Sequence, residues 1–164
     1  MMVSLDILEV GHRMILQAIK GLPASDWDTA GVDGDWSVKD VIAHLTSYEY
    51  LLVDMLDTVG NNAPAPTLTR WLRDRERFNT DEVTRRREKT AREVMAEYVE
   101  VHAETIDRLL WIPAEALRKD GTLPWFDEAQ SLEDFITGSF FRHKRMHGLQ
   151  IASFRDHLIH RDIA

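Results

Sequence analysis

The chain has 164 residues, of which 44% are hydrophobic and 29% are charged, and its formal net charge is −8. This length suits one well-buried core and is short for two ordinary domains, so we expect a single domain over residues 1–164. The acidic balance disfavours nucleic acid and anionic membrane surfaces as partners, because both reward clustered Lys and Arg. The chain contains no cysteine, so any metal must be held by His, Asp, Glu or water.

No run of residues approaches the roughly 20 apolar positions that a membrane span needs. The first residues, Met1–Glu9, lack the basic and apolar regions of a signal peptide. The expected location is therefore the cytoplasm.

The first predicted helix runs from Leu5 to Lys20, and Gly21 and Pro23 mark its end. Its apolar residues recur at helical spacing, at Leu5, Leu8, Ile15, Leu16 and Ile19. The stretch Leu22–Trp36 combines Pro, Gly and Asp with two tryptophans, which predicts a structured loop.

The second predicted helix begins at Ser37, whose hydroxyl can cap it, with Asp40 at the reciprocal capping-box position. Trp36 can pack on Val41 as a hydrophobic staple. The buried stripe continues to the end of the helix through Val38, Val41, Ile42, Leu45, Tyr48, Leu52, Met55, Leu56 and Val59.

A short helical piece is predicted over Thr69–Phe78, followed by a long third helix over Asp81–Trp111. Pro113 ends that helix, and its basic run at 84–89 is interpreted as a solvated face. The fourth helix begins with Ser131 as its cap and turns a longer set of residues inward: Leu132, Phe135, Ile136, Phe140, Met146, Ile151 and Phe154.

No segment shows sustained alternation of apolar and polar residues, so we predict no strands. The predicted fold class is all-α. The expected architecture is a four-helix bundle of the up-down type, with a short extra helix in the connection between the second and third helices.

His143 and His147 are the most informative residues of the sequence. Residues four apart on a helix differ by about 40° in direction and about 6 Å along the axis, so both rings can reach one atom. Both histidines fall on the predicted buried stripe of the fourth helix, where an unpaired imidazole costs a few kcal/mol. Either hydrogen-bond partners or a cation must satisfy them. The simpler interpretation is a pair of core histidines bonded to carboxylates or backbone.

His44, on the flank of the second helix, supplies a third imidazole. Metal sites in helical bundles are commonly built from side chains on facing helices. We therefore predict a metal site at His44, His143 and His147, with one or more open coordination positions, as is typical of catalytic zinc.

Several other polar residues are weaker candidates for this site. Asp40 and Tyr48, one turn before and one turn after the histidine of the second helix, are predicted to orient the imidazole or a bound water, and Glu49 is a weaker option. Tyr48 is also the candidate catalytic residue, steering a substrate. His12 and His102 lie on apolar stripes and are interpreted either as further ligands or partners, or as satisfied core histidines.

The segment Trp36–Leu45, which reads W-S-V-K-D-V-I-A-H-L, is followed much later by His143-x-x-x-His147. This combination resembles the DinB-like metal-binding four-helix-bundle superfamily, which includes thiol-dependent transferases and the N-terminal domain of mycothiol-dependent maleylpyruvate isomerase. The resemblance implies a divalent metal, often zinc or nickel, held by His44, His143 and His147, and a homodimer. The isomerase differs in having a further C-terminal domain and a carboxylate at the position of His143.

The leading functional hypothesis is a metal-dependent transferase or isomerase acting on a small electrophilic molecule. A low-molecular-weight thiol would bind at the open position, lose its proton and attack the electrophile. The absence of cysteine from the chain agrees with an external thiol. The same ligands could instead activate water in a hydrolase. A third hypothesis is a non-enzymatic metal- or ligand-binding module that serves in stress or toxin sequestration.

Overall fold

The computed structural model describes residues 3–61, 64–125 and 130–161 and is mostly helical, which confirms the predicted class. In chain order its elements are α1 (Val3–Ile19), a 3-10 turn (Ala24–Asp26), β1 (Ala30–Asp33), β2 (Trp36–Ser37), α2 (Val38–Asn61), α3 (Pro66–Arg73), α4 (Arg75–Thr84), α5 (Ala91–Leu110), α6 (Ala114–Leu117), α7 (Leu132–Asp134), a π-helical segment (Phe135–Phe140) and α8 (Phe141–Arg161).

The four long helices make the main contacts of the core. The α2 helix packs along α5, and α1 packs along α8, while smaller contacts join α1 to α5 and α2 to α8. Two apolar clusters fill the interior. One contains Leu52, Met55 and Leu109, and the other contains Ile42 and Tyr98. The α2 helix contributes to both clusters and therefore spans the whole core.

The predicted capping box at Ser37 and the predicted cap at Ser131 are both confirmed. Ser37 Oγ donates a hydrogen bond to Asp40 Oδ2 at 2.8 Å, and the Asp40 amide donates to Ser37 Oγ at 3.2 Å. Ser131 and Asp134 make the same reciprocal pair at the start of α7. Each box satisfies backbone donors that the first turn of a helix leaves free.

The predicted loop Leu22–Trp36 contains a short antiparallel hairpin, in which Ala30 lies opposite Ser37 and Asp33 lies opposite Trp36. The expectation of no strands was therefore wrong. Strands of four and two residues are too short to show a periodic pattern in the sequence. The hairpin contacts both α2 and α8, so it lies against the two helices that carry the candidate histidines.

The predicted third helix over Asp81–Trp111 is divided into two. The α4 helix ends at Thr84 and α5 begins at Ala91. Thr90 has an extended backbone (φ −68°, ψ 158°) and forms a capping box with Glu93. The intervening residues are all compatible with a helix, so the sequence pattern alone hides this break.

The basic run at 84–89 is largely exposed, as predicted, but most of it lies in the turn after α4 rather than on a helix face. Arg86 within it is buried. Its guanidinium contacts Glu82 Oε2 at 3.2 Å and Glu97 Oε1 at 2.8 Å. This arginine therefore joins the end of α4 to α5 across the break.

The buried face of α8 differs from the predicted stripe. Met146 was expected inside but is 47% exposed, whereas Lys144 is buried at 1% exposure. The π-helical segment before α8 accommodates an additional residue per turn, so a stripe extrapolated through it at constant spacing loses its register. Leu16 of α1 is exposed for a simpler reason, because its neighbour Ile15 takes the buried position.

Among the helices in the described part of the chain, none is long and apolar enough to cross a lipid bilayer.

The break between α4 and α5 can be tested by the sign of one substitution. Thr90→Ala removes the cap of α5 and should lower the free energy of unfolding by about 1 kcal/mol, measured by urea denaturation. In a continuous helix the same change would raise stability, because alanine has the higher helix propensity. Thr80→Ala, at an exposed interior position of α4, is the matched control and should be neutral or stabilising.

Candidate metal centre

Three histidine side chains from two helices converge on one point. His143 Nε2 lies 2.9 Å from His44 Nε2 and 3.0 Å from His147 Nε2. One nitrogen from each ring can be chosen so that all three lie within 4.8 Å of one another. The structure thus brings together the three residues that the sequence predicts as ligands.

Local structure explains how these rings meet. His143 and His147 are one turn apart on α8, and their ring centroids are 4.7 Å apart. His44 lies in α2 between Ala43 and Leu45, which belong to the buried core. Trp36 covers it from the hairpin, with ring centroids 5.0 Å apart.

The three imidazoles are neutral at physiological pH. Burial, followed by the charges of the other two histidines, lowers the pKa of His44 to about 2. Burial, with the charges of His147 and Lys144, lowers the pKa of His143 to about 3. Burial also lowers the pKa of His147, against the opposing effects of Gln150 and Asp33. Neutral imidazole is the form that binds a metal ion.

The geometry fits a divalent cation. Metal–nitrogen bonds of about 2.0–2.1 Å in a tetrahedral site place the ligand nitrogens about 3.3 Å apart, close to the spacings here. Without a cation, His143 Nε2 carries either one proton or one lone pair, so it cannot make a good hydrogen bond to both neighbours. A shared cation would satisfy all three nitrogens at once.

Gln150 holds His147 in the tautomer that a metal requires. Its Oε1 lies 2.7 Å from His147 Nδ1, so Nδ1–H donates to the amide oxygen and the Nε2 lone pair faces the other histidines. Sequence reasoning missed Gln150, although its position three residues after His147 on one helix was available as a signal. The Nδ1 atoms of His44 and His143 are buried and have no hydrogen-bond partner within the described residues.

Tyr48 lies beside the three histidines. Its ring centroid is 4.8 Å from that of His44 and 4.4 Å from that of His143, and its hydroxyl donates to Asn79 Oδ1 at 3.2 Å. Burial raises the pKa of Tyr48, so the phenol keeps its proton at neutral pH. Asn79 is a second residue that sequence reasoning did not find, because it comes from α4.

Asp40 is placed away from the role predicted for it. Its carboxylate bonds to the amide and hydroxyl of Ser37, while His44 Nδ1 has no partner in the described residues. In this structure Asp40 acts on the site indirectly, by fixing the start of α2.

Glu49 and His102 belong to a separate buried group, on which the half-buried His12 packs. Glu49 pairs with the Lys144 ammonium and with His102 Nδ1, and the His12 ring stacks on the His102 ring with centroids 3.9 Å apart. Burial alone would raise the pKa of Glu49, but the Lys144 charge and the His102 hydrogen bond lower it to about 2. In the described ranges, the ligand atoms of His44, His143 and His147 form the one group with metal-site spacing.

Comparison with known proteins agrees with this geometry. The family model of the DinB superfamily matches residues 7–151, which include every candidate ligand. No curated protein and no solved structure matches the chain significantly. The family match covers most of the sequence, and the chain therefore belongs to the DinB superfamily.

Proposed function

We propose that this protein binds a divalent metal, zinc or nickel, through His44, His143 and His147. The open coordination positions of the metal would then bind a reactant for a reaction on a small molecule. The convergence of three neutral imidazoles from α2 and α8 carries this proposal. The proposed architecture around the site is an up-down four-helix bundle of α1, α2, α5 and α8. The pairwise packing of these helices supports it.

The proposed reaction is a thiol-dependent transfer or isomerisation of an electrophilic substrate. A bound divalent cation would lower the pKa of a coordinated thiol, which makes a thiolate available at neutral pH. The thiol sulfur would form a bond to an electrophilic carbon while the leaving group takes its bonding electron pair. The thiol proton would pass to solvent. In an isomerisation the same thiol would add and then leave. With no cysteine in the chain, the sulfur must come from a separate molecule.

Tyr48 is the residue proposed to contact the substrate. Its phenol is half-buried, keeps its proton and lies against the rings of His44 and His143. Its hydroxyl now donates to Asn79 and could donate instead to a substrate oxygen that gains negative charge during the reaction.

Metal content tests the site directly. Wild-type protein purified from a medium containing Zn²⁺ and Ni²⁺ should carry about one divalent ion per chain by elemental analysis, a stoichiometry set by the three-histidine site. His44→Ala, His143→Ala and His147→Ala should each lose most of it. His157→Ala, which removes an exposed histidine of α8, is the control and should keep the wild-type content. If all four variants carried the same amount of metal per chain, the three histidines would not be the metal ligands.

Turnover tests the reaction. Consumption of a chlorinated aromatic electrophile should require both the metal-loaded protein and added thiol. Tyr48→Phe should lower kcat/KM for this reaction by roughly ten- to a thousandfold. Apo protein and His147→Ala should be inactive. Hydrolysis of an ester without thiol would favour water activation instead. Tight binding across an electrophile panel without turnover would favour a sequestering module.

We also propose a homodimer formed through the outer face of α1 and α8. Val10 of α1 and Leu149 of α8 are exposed there, beside the half-buried Ala152.

Sedimentation analysis tests the dimer. The wild-type chain should sediment as a dimer, and Leu149→Glu should sediment as a monomer because it places a charge in the proposed interface. Leu110→Glu is the matched control, since Leu110 of α5 has the same 58% exposure as Leu149 but lies on another face. A monomeric wild type, or identical behaviour of the two variants, would contradict this interface.

A further inference from the structure

A buried ion pair lies next to the metal ligands and plays no part in the chemistry proposed above. Glu49 of α2 is 0% exposed and Lys144 of α8 is 1% exposed. The Lys144 ammonium contacts Glu49 Oε1. Removing two charges from water is costly, so a fully buried pair calls for an explanation beyond packing.

The Glu49 carboxylate ties α2 to two other helices. From α5, His102 Nδ1 lies 3.2 Å from Oε1 and the Thr105 hydroxyl donates to Oε2 at 2.8 Å. From α8, Lys144 supplies the ammonium. These contacts join specific atoms of α2 to specific atoms of α5 and α8, whereas the hydrophobic effect itself is non-directional.

The pair connects the same two helices that supply the metal ligands. Glu49 follows His44 by five positions on α2, and Lys144 is the residue directly after His143 on α8. A slide of α8 by one residue would move both of its histidines by about 1.5 Å relative to α2. Metal–ligand distances tolerate deviations of only about 0.2 Å. The relative position of the two helices therefore has to be fixed closely for three ligands to meet.

The α1 helix closes the space around the lysine. A Cβ atom at Gly11 would lie 3.2 Å from Lys144 Cδ and 3.5 Å from Phe141 Cδ2. The lysine stem therefore runs past a position where glycine permits close approach of α1, and it has little room to shift. The ammonium end is fixed by Glu49 and the stem by α1.

We infer that the buried Glu49–Lys144 ion pair is a positioning device, which sets α8 against α2 so that His143 and His147 meet His44 at metal-binding distance. This inference rests on the proposed metal site. Neither residue touches the metal or the substrate, and both act through the histidines near them in sequence.

The test removes the ion pair that links α2 to α8 and keeps hydrogen bonds between residue 49 and α5. In the double variant Glu49→Gln with Lys144→Met, the glutamine oxygen can still accept from His102 Nδ1, and no charge is left buried. The glutamine NH2 can donate to Thr105 Oγ1, whose hydroxyl can donate to the Val101 carbonyl. The fold should remain, with helical content and Tm near wild type. Affinity for Co²⁺, measured by competition with a chromophoric chelator, should fall about tenfold or more. The visible absorption spectrum of bound Co²⁺ should change because the ligand geometry changes.

A matched control and a second variant complete the design. Arg86→Met with Glu97→Gln removes another ion pair, which joins the turn after α4 to α5 and does not link α2 to α8. The Arg86 guanidinium lies 5.9 Å from the ring of Tyr50 in α2, a residue outside the metal site. Co²⁺ affinity and spectrum should therefore stay unchanged. Gly11→Ala presses on the lysine stem from α1 without altering any charge and should also weaken Co²⁺ binding. Gly11→Ala therefore tests the positioning role even if the double variant fails to fold.

The outcomes separate this inference from the proposed function. A wild-type protein that binds no Co²⁺ overturns the metal site itself and the inference with it. A wild type that binds, while the folded double variant and Gly11→Ala bind equally tightly with the same spectrum, leaves the metal site standing and overturns the positioning role. A folded double variant with weaker binding and an altered spectrum supports the positioning role.

Discussion

His44 on α2 and His143 on α8 hold their Nε2 atoms 2.9 Å apart, a separation at which two buried neutral rings need either a shared proton or a shared cation. A third ring, that of His147, approaches within 3.0 Å of the same nitrogen. A single proton cannot satisfy this arrangement. The placement of α2 against α8 is therefore set by chemistry as well as by packing, and the hairpin, α4 and α1 are arranged around that junction.

Two adjoining sets of buried polar groups lie where α2 meets α8, and they differ in character. The three-histidine set is uncharged at neutral pH and has unfilled lone pairs, which suits cation binding. The set around Glu49 and Lys144 contains opposite charges that compensate one another. A compensated pair has little attraction for a cation. This difference explains why a divalent ion would be held by the first set although the second also contains a carboxylate and the imidazole of His102.

The features that could be predicted from the sequence are local ones. The capping box at Ser37 needs residues three apart, and the meeting of His143 with His147 needs only one turn of helix. The break before Thr90 was missed because an arginine-rich segment is as compatible with a helix as with a turn. Met146 was placed inside because the π-helical segment that changes the register of α8 leaves no signal in the apolar pattern. Apart from His44, the residues that act across the fold left no signal in the apolar pattern.

Lys144 shows most clearly why the rest of the site could not be predicted. A lysine in a basic stretch of helix is ordinarily exposed, and its burial here depends on a carboxylate located 95 positions earlier, since 144 − 49 = 95. The same holds for Asn79, which reaches Tyr48 only because α4 folds back on α2. These contacts exist only once the helices have assembled.

The separation of the ligands along the chain has a thermodynamic consequence. His44 and His143 are 99 residues apart, so the complete ligand set exists only in the folded state. A cation that binds the folded chain and not the unfolded one adds its binding free energy to folding stability. Without a cation the fold must itself hold three imidazoles together against the loss of their hydration. Membership of the DinB superfamily accounts for the scaffold that does this, but the fold does not determine the reaction. What the site does depends on what binds beside the three histidines, and Tyr48, whose ring centroid lies 4.4 Å from that of His143, is the residue proposed to contact it.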